Sequence, residues 1–263
     1  MPCLDPAIVN WADGPAVIAH TVSDDDEHGL GAHHHARGQL FGSLRGLITV
    51  GVADAVWVVP TIHAVWLPPH QEHWGRSHGP FEGWSAYVAE NACAGLPPVA
   101  CTIRTSGLLR EAVLRAARWP ATKAPLPPEQ ARIAQVILDE IRTLPPEPLG
   151  LPMPRDARLQ KIARALVDDP AQPRGLEEWA AWGNISARTL SRRFVADTGF
   201  TFTAWRQRAR LMRSLEMLAA DVPVNAIALD LGYATASAFI GVFRQAFGAT
   251  PAVYRQRLLA RPA

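Results

Sequence analysis

The chain has little cysteine, almost no lysine, no long apolar run, and no histidine in its second half. Its three cysteines, Cys3, Cys93 and Cys101, are odd in number and lack metal-ligand spacing, which fits a reducing cytoplasm rather than a disulfide framework. The longest apolar run, residues 47–60, carries Asp54 and stays short of the ~18 residues a membrane span needs, so no membrane partner is expected. Met1 to Asp5 show no basic stretch followed by an apolar one, so no signal peptide is expected either. What is present is ample core material. With 48% hydrophobic residues among 263, a disordered chain is excluded, and one large domain or two ordinary ones both fit.

A formal net charge of +2 conceals two unlike halves. Residues 1–150 carry 10 Lys and Arg against 15 Asp and Glu, a net −5, while residues 151–263 carry 16 against 9, a net +7. All nine histidines lie between His20 and His78, and of the 26 basic residues only Lys123 and Lys161 are lysines. A basic, arginine-rich second half points to nucleic acid.

The halves meet at residues 143–157, TLPPEPLGLPMPRDA, whose prolines at 145, 146, 148, 152 and 154 bar a helix interior or central strand and predict a semi-rigid linker. Before it, short runs of strand formers such as Val56–Val59, Ala64–Leu67 and Trp84–Val88 are punctuated by Gly and Pro, the spacing of an all-β sandwich or barrel. Two helices are expected next, near 108–118 and 129–144. The second has a stripe of Ile133, Val136, Ile137, Ile141 and Leu144 that suits either packing on the β-domain or a dimer contact. Cys93 and Cys101 sit in apolar surroundings, where inert buried thiols are expected rather than a redox sensor.

After the linker the period is helical throughout, and the segment repeats itself. At a shift of 49 residues Gly183 meets Gly232, Ser186 meets Thr235, Leu190 meets Phe239, Phe194 meets Phe243 and Gly199 meets Gly248. Each copy reads as helix, glycine turn, hydroxyl N-cap and second helix, the helix-turn-helix layout whose second helix enters the major groove. Leu190 and Phe194 face the core, while Arg188 and Arg192, with Arg193 beside them, mark the opposite face. Ser186 can cap that helix and leave its N-terminus open to phosphates. Between the copies, residues 202–220 predict a helix of roughly 28 Å, about right to hold two reading helices one DNA turn apart. Its Arg206, Arg208, Arg210 and Arg213 face outward or flank, with Glu216 as the only acid, a pattern that favours contact with the nucleic-acid backbone.

Residues 158–260 resemble the DNA-binding domain of AraC/XylS-type bacterial transcriptional regulators. The resemblance is carried by IALDLGYATASAFIGVFRQAFGATPAVY (227–254) and ISARTLSRRFVADTGFTFTAWRQRARL (185–211). It implies that one monomer reads two successive major-groove segments, with Arg188, Ser191 and Arg192 as base readers, arginine being suited to a guanine edge. The second helix departs from the family: Gly241 stands where a basic side chain is common, beside Ala236, Ser237 and Ala238. The first unit is therefore expected to carry most discrimination. The second, through Thr235, Arg244 and its helix N-terminus, is expected mainly to hold phosphates.

In the acidic half, His33-x-His35-x3-Gln39 and a later His73 resemble the metal pattern of the cupin barrel, with Gln39 in place of an acid and His70 in place of a glycine. Alternation in a strand would put His33 and His35 on one side. Three readings stand: a divalent metal on His33, His35 and His73; a metal-free pocket of histidines with Trp57, Trp66 and Trp74; or ordinary surface and strand-edge histidines.

The expected fold is therefore α+β in two domains. A cupin-like sensor barrel (1–105) is followed by a helical pair (106–144), the linker (145–157) and an all-α tandem helix-turn-helix domain (158–263). The expected function is a cytoplasmic, non-enzymatic, sequence-specific DNA-binding regulator responding to a small-molecule or metal effector. The alternative is a metal-dependent cupin enzyme with an accessory helical domain. DNA binding requires no cofactor on this reading. Double-stranded DNA is the expected partner, and RNA polymerase and a second copy of the chain stay open.

Overall fold

The computed structural model describes residues 4–11, 13–26, 28–60, 63–147 and 150–259; Cys3 and Pro148 lie outside them. The strands are β1 (Val17–Asp24), β2 (Gly29–His33), β3 (Gly38–Val52), β4 (Ala55–Val59), β5 (His63–Leu67), β6 (His73–Val88), β7 (Cys101–Arg104), β8 (Pro146–Glu147) and β9 (Leu151–Pro152). The helices are α1 (Pro6–Val9), α2 (Gly107–Ala116), α3 (Pro128–Thr143), α4 (Ala157–Asp168), α5 (Leu176–Trp182), α6 (Ala187–Thr198), α7 (Phe202–Ala219), α8 (Val224–Asp230), α9 (Ala236–Phe247) and α10 (Pro251–Leu259). Among the described residues, no helix is long and apolar enough to cross a membrane.

Among the described residues the chain divides into two compact units, one within residues 4–52 and 57–150, the other of residues 53–56 and 151–259. In the first, the strands run antiparallel in the order β1-β6-β3-β5-β7-β8, with β2 against the start of β6. Alternation gives this sheet two different faces. Leu40, Ala64, Trp66, Trp84, Ala86 and Val88 share one core with Leu109 and Val113 of α2 and Ile137 and Ile141 of α3. The four helix residues are fully buried, each contributing roughly 1.5–3 kcal/mol. Ile133, Val136 and Leu144 are half-buried and pack against the same cluster, which accounts for the α3 stripe by packing on the β-domain. Ser106 caps α2 and donates to Glu140 of α3, locking the pair.

The pairing of β3 with its neighbours β5 and β6 relies on missing side chains. A Cβ at Gly38, Gly42 or Gly51 would run into the indole of Trp66, Trp84 or Trp74 respectively. Glycine is needed there for close approach rather than for turn geometry.

The stretch expected as a linker is partly strand. Glu147 and Pro146 pair with Thr102 and Ile103 as β8, while Leu151 and Pro152 pair with Val56 and Ala55 as β9. Proline is tolerated because both are two-residue strands at an edge. Asp156 then caps α4, and Asp197 accepts from the amides of Arg155 and Asp156.

The helical unit packs on Trp179, Leu190, Phe194, Trp205, Leu218, Phe239 and Phe243, all fully buried. Phe194 meets Trp205 edge-on at 5.4 Å, and the Trp205 indole donates to Pro152 O at 2.7 Å. Both reading helices end on a left-handed glycine, Gly199 (φ +76°) and Gly248 (φ +70°).

Gly42→Ala is expected to cost about 1–3 kcal/mol in thermal or urea unfolding, because the Trp84 ring has nowhere to go. Gly31→Ala, with no atom within 4 Å of the added carbon, is expected to stay within about 0.5 kcal/mol of wild type.

Candidate nucleic-acid interface and histidine pocket

The sheet face opposite the helices lines a small pocket that opens to solvent. Its walls are His20 and Val22 of β1, Phe41, Ile48 and Val50 of β3, and Leu67, Trp74, Ser85 and Tyr87, with His33, Gln39 and His73 at one side. Trp66 does not join them: it is fully buried in the core on the other face, its indole donating to Pro97 O at 2.8 Å. Trp57 is likewise not part of the lining, so Trp74 alone of the three expected tryptophans stands there.

His33 closes β2 opposite His73, the first residue of β6. His35 lies past the end of β2, so strand alternation does not bring it to His33; the bend between β2 and β3 does. One ring nitrogen from each of His33, His35 and His73 lies within 4.8 Å of the others. Each Nδ1 meets a backbone carbonyl: His33 to Gly31 O at 2.8 Å, His35 to Arg37 O at 2.6 Å and His73 to Gln71 O at 2.8 Å. Gln39 reaches His35 Nε2 with Oε1 at 3.2 Å, and its Nε2 donates to Ser85 Oγ and Tyr87 Oη at 3.0 and 3.1 Å. Burial pushes the His73 imidazole down to about 4 and lowers His35 too, so both are neutral near pH 7.

Of the other histidines, His28, His34 and His70 are exposed, but His63 and His78 are buried, His78 against Thr49 Oγ1 at 2.8 Å. His70 has a left-handed backbone, φ +62°, which is why a glycine suits this position. The thiols of Cys93 and Cys101 are raised by burial, as expected of inert cysteines.

On α6, the Ser186 hydroxyl caps Thr189 N at 3.1 Å. Arg188 and Arg192 are exposed, and Ser191 is half-buried between them. Neither arginine has an ion-pair partner among the described residues. Arg193 is different: it pairs with Asp156 at 2.5 Å, and Arg158 holds the same carboxylate from the other side. These two guanidinium groups push Asp156 well below the usual carboxylate range. Arg193 therefore ties α6 to the start of α4. On α9, Thr235 caps Ala238 N at 3.1 Å, Ala236 is half-buried, and Ser237, Gly241 and Arg244 are exposed. Nothing lies within 4 Å of a Cβ added at Gly241.

The repeat is close but not uniform. In the first turn the left-handed residue is Asn184 (φ +53°), and Gly183 instead leaves room for Ile162 Cδ1, 2.7 Å from where its Cβ would be. In the second turn Gly232 itself is left-handed (φ +73°), which lengthens that turn by one residue before the N-cap. The α7 arginines are mostly engaged inside the unit. Arg206 donates to the carbonyls of Gln172 and Arg174, Arg210 to Pro170 O, and Arg213 pairs with Glu216. Arg208 lies over the Phe200 ring. The outward charge expected on this helix thus braces loops instead.

A family model described as a helix-turn-helix domain matches residues 179–257. The HTH-type transcriptional regulator NimR of Escherichia coli (strain K12) is 33% identical over 244 residues, covering 92% of this chain and 89% of NimR. The chain belongs to the AraC-type helix-turn-helix transcriptional regulators. The HTH-type transcriptional regulator RipA of Corynebacterium glutamicum is 38% identical over 122 residues, 46% of this chain and 35% of RipA. A solved structure of ToxT from Vibrio cholerae aligns over 93% of this chain and 98% of its own at 11% identity and a TM-score of 0.41. NimR and RipA both carry the name of transcriptional regulators, and the cupin-enzyme alternative finds no support among them.

In this regulator, sequence reasoning missed the structural partners of its candidate sites. Ser85 and Tyr87 carried a signal, since they alternate with core residues on β6, whereas the Asp156–Arg193 pair spans 37 residues and left none. The pocket yields a pH prediction. Unfolded His73 takes up a proton near its ordinary 6.5 and folded His73 only near 4, so the folded state weakens as pH falls between them. In chelator-treated protein, wild type is expected to lose about 3 kcal/mol relative to His73→Gln between about pH 7 and pH 4 in urea unfolding. An unchanged difference would remove burial of a neutral His73 from the account.

Proposed function

We propose that the regulator discriminates sequence chiefly with α6 and uses α9 mainly to hold the DNA backbone, under control of a small molecule in the N-terminal pocket. The observation that carries this is the unequal distribution of free guanidinium groups. Arg188 and Arg192 stand exposed one turn apart on α6, while the same stretch of α9 offers Ala236, Ser237 and Gly241. Arginine can pair bidentately with a guanine edge; alanine and glycine can at most contact a thymine methyl. Ser186 and Ser191 flank the α6 arginines, and Thr235, Arg244 and the α9 N-terminus suit phosphates. Arg193, held by Asp156, orients α6 rather than reading bases.

The sensing half of the proposal rests on the pocket. The sheet-rich unit is read as a cupin-like barrel whose apolar walls and single polar side suit a compact ligand. A ligand acts only through its different affinity for states that bind DNA differently.

Arg188→Ala and Arg192→Ala are each expected to cost about 1–3 kcal/mol of specific binding and to relax preference in one half-site, measured by titration against operators with base changes in each half. Gly241→Arg, placed where space is open, is expected to tighten binding across sequences and steepen its salt dependence by about one unit. Equal discrimination in both half-sites would overturn the asymmetry.

A further inference from the structure

We propose that His33, His35 and His73, with the Gln39 amide oxygen, hold a divalent late first-row transition-metal ion at the polar side of the pocket, and that the molecule the pocket takes is a compact apolar anion ligating that ion. The second part rests on the reading of this pocket as the effector site.

The carbonyls of Gly31, Arg37 and Gln71 can only accept, so the proton of each imidazole sits on Nδ1. All three Nε2 atoms therefore carry lone pairs, with the tautomer and ring orientation fixed from behind, as ligand histidines require. His35 Nε2 then faces Gln39 Oε1, a second acceptor, at 3.2 Å. Gln39 has no donor left to relieve this, because its Nε2 is spent on Ser85 and Tyr87. Two lone pairs held so near repel one another unless a cation lies between them. Roughly 3.0–3.4 Å is also the spacing of neighbouring ligands that each sit ~2.0–2.1 Å from one ion. Turning the Gln39 amide over would satisfy the same groups without an ion, its Nε2 donating to His35 and its oxygen accepting from Ser85 and Tyr87. The two arrangements predict opposite metal contents.

Three neutral imidazoles and an amide oxygen favour Zn²⁺, Co²⁺, Ni²⁺ or Cu²⁺ over Mg²⁺ or Ca²⁺. Among the described residues the cluster holds no carboxylate, so such an ion keeps its full charge. His33, Gln39 and His73 border the pocket, whose lining has no arginine or lysine and is otherwise largely apolar. An open ligand position facing that space is completed best by an anionic group on an apolar body.

The test uses the full chain stripped with a chelator, titrated with Zn²⁺ and Co²⁺ by calorimetry and, for Co²⁺, visible absorption. Wild type is expected to bind one equivalent and to ignore Mg²⁺. His33→Ala, at a half-buried position, and His73→Ala are each expected to weaken binding at least tenfold. Gln39→Glu, which adds the missing charge, is expected to bind the ion at least tenfold more tightly. Benzoate is expected to shift the Co²⁺ bands of wild type and to act at least tenfold more weakly on Gln39→Glu. No stoichiometric Zn²⁺ or Co²⁺ in wild type, or wild-type affinity in both histidine variants, overturns the metal site. Benzoate bound equally with and without the ion overturns the anion–metal contact while leaving the effector pocket standing. A Co²⁺ spectrum indifferent to benzoate overturns the anion class.

Discussion

The N-terminal unit depends on how closely β3 and β6 approach. They pair from Gly38 opposite Val88 to Gly51 opposite Trp74, and glycines give the neighbouring indoles their room. That pairing fixes which residues look each way. Leu40, Trp84, Ala86 and Val88 go to the helix-covered core, and Gln39, Phe41, Ser85 and Tyr87 go to the pocket. A slip of one residue would exchange the two sets, placing polar groups under α2 and α3 and indoles in the pocket. Core and pocket are thus two faces of one register.

In the helical unit the comparable constraint is aromatic. Phe194 and Phe243 occupy matching places in the repeat, and each is fully buried. Around this shared skeleton the copies differ where they meet solvent: in turn length, in the cation at Arg192 against Gly241, and in the Asp156 clamp that only α6 receives. Duplicated scaffolding thus carries unequal outer faces, the asymmetry on which the proposed division of work between α6 and α9 rests.

The helical repeat was legible because its signals are local. Gly199 and Gly248, the Ser186 and Thr235 caps, and the i, i+4 aromatic pairs all lie within a few residues of what they control. The histidine cluster was legible as a set but not as geometry. His33 and His35 meet His73 through a bend and a strand pairing across some forty residues, not through alternation in a single strand. What stayed hidden was long-range or context-dependent. Trp66 and Trp74 look alike in sequence, yet opposite faces of the sheet claim them. The proline-rich stretch predicted a spacer because proline disfavours sheets, but an edge strand asks little of its amides, so β8 and β9 form regardless.

The strand β9 has one further consequence. Its partners, Ala55 and Val56, belong to the helical unit although they come nearly a hundred residues before β9 in the chain. The DNA-binding half is therefore not one continuous length of polypeptide. A gene fusion that transplants residues from 151 onward onto another sensor takes the reading helices but leaves behind the backbone that Leu151 and Met153 hydrogen-bond to. The helical unit draws four residues from far earlier in the chain, and recombination at a single crossover cannot carry both of its pieces.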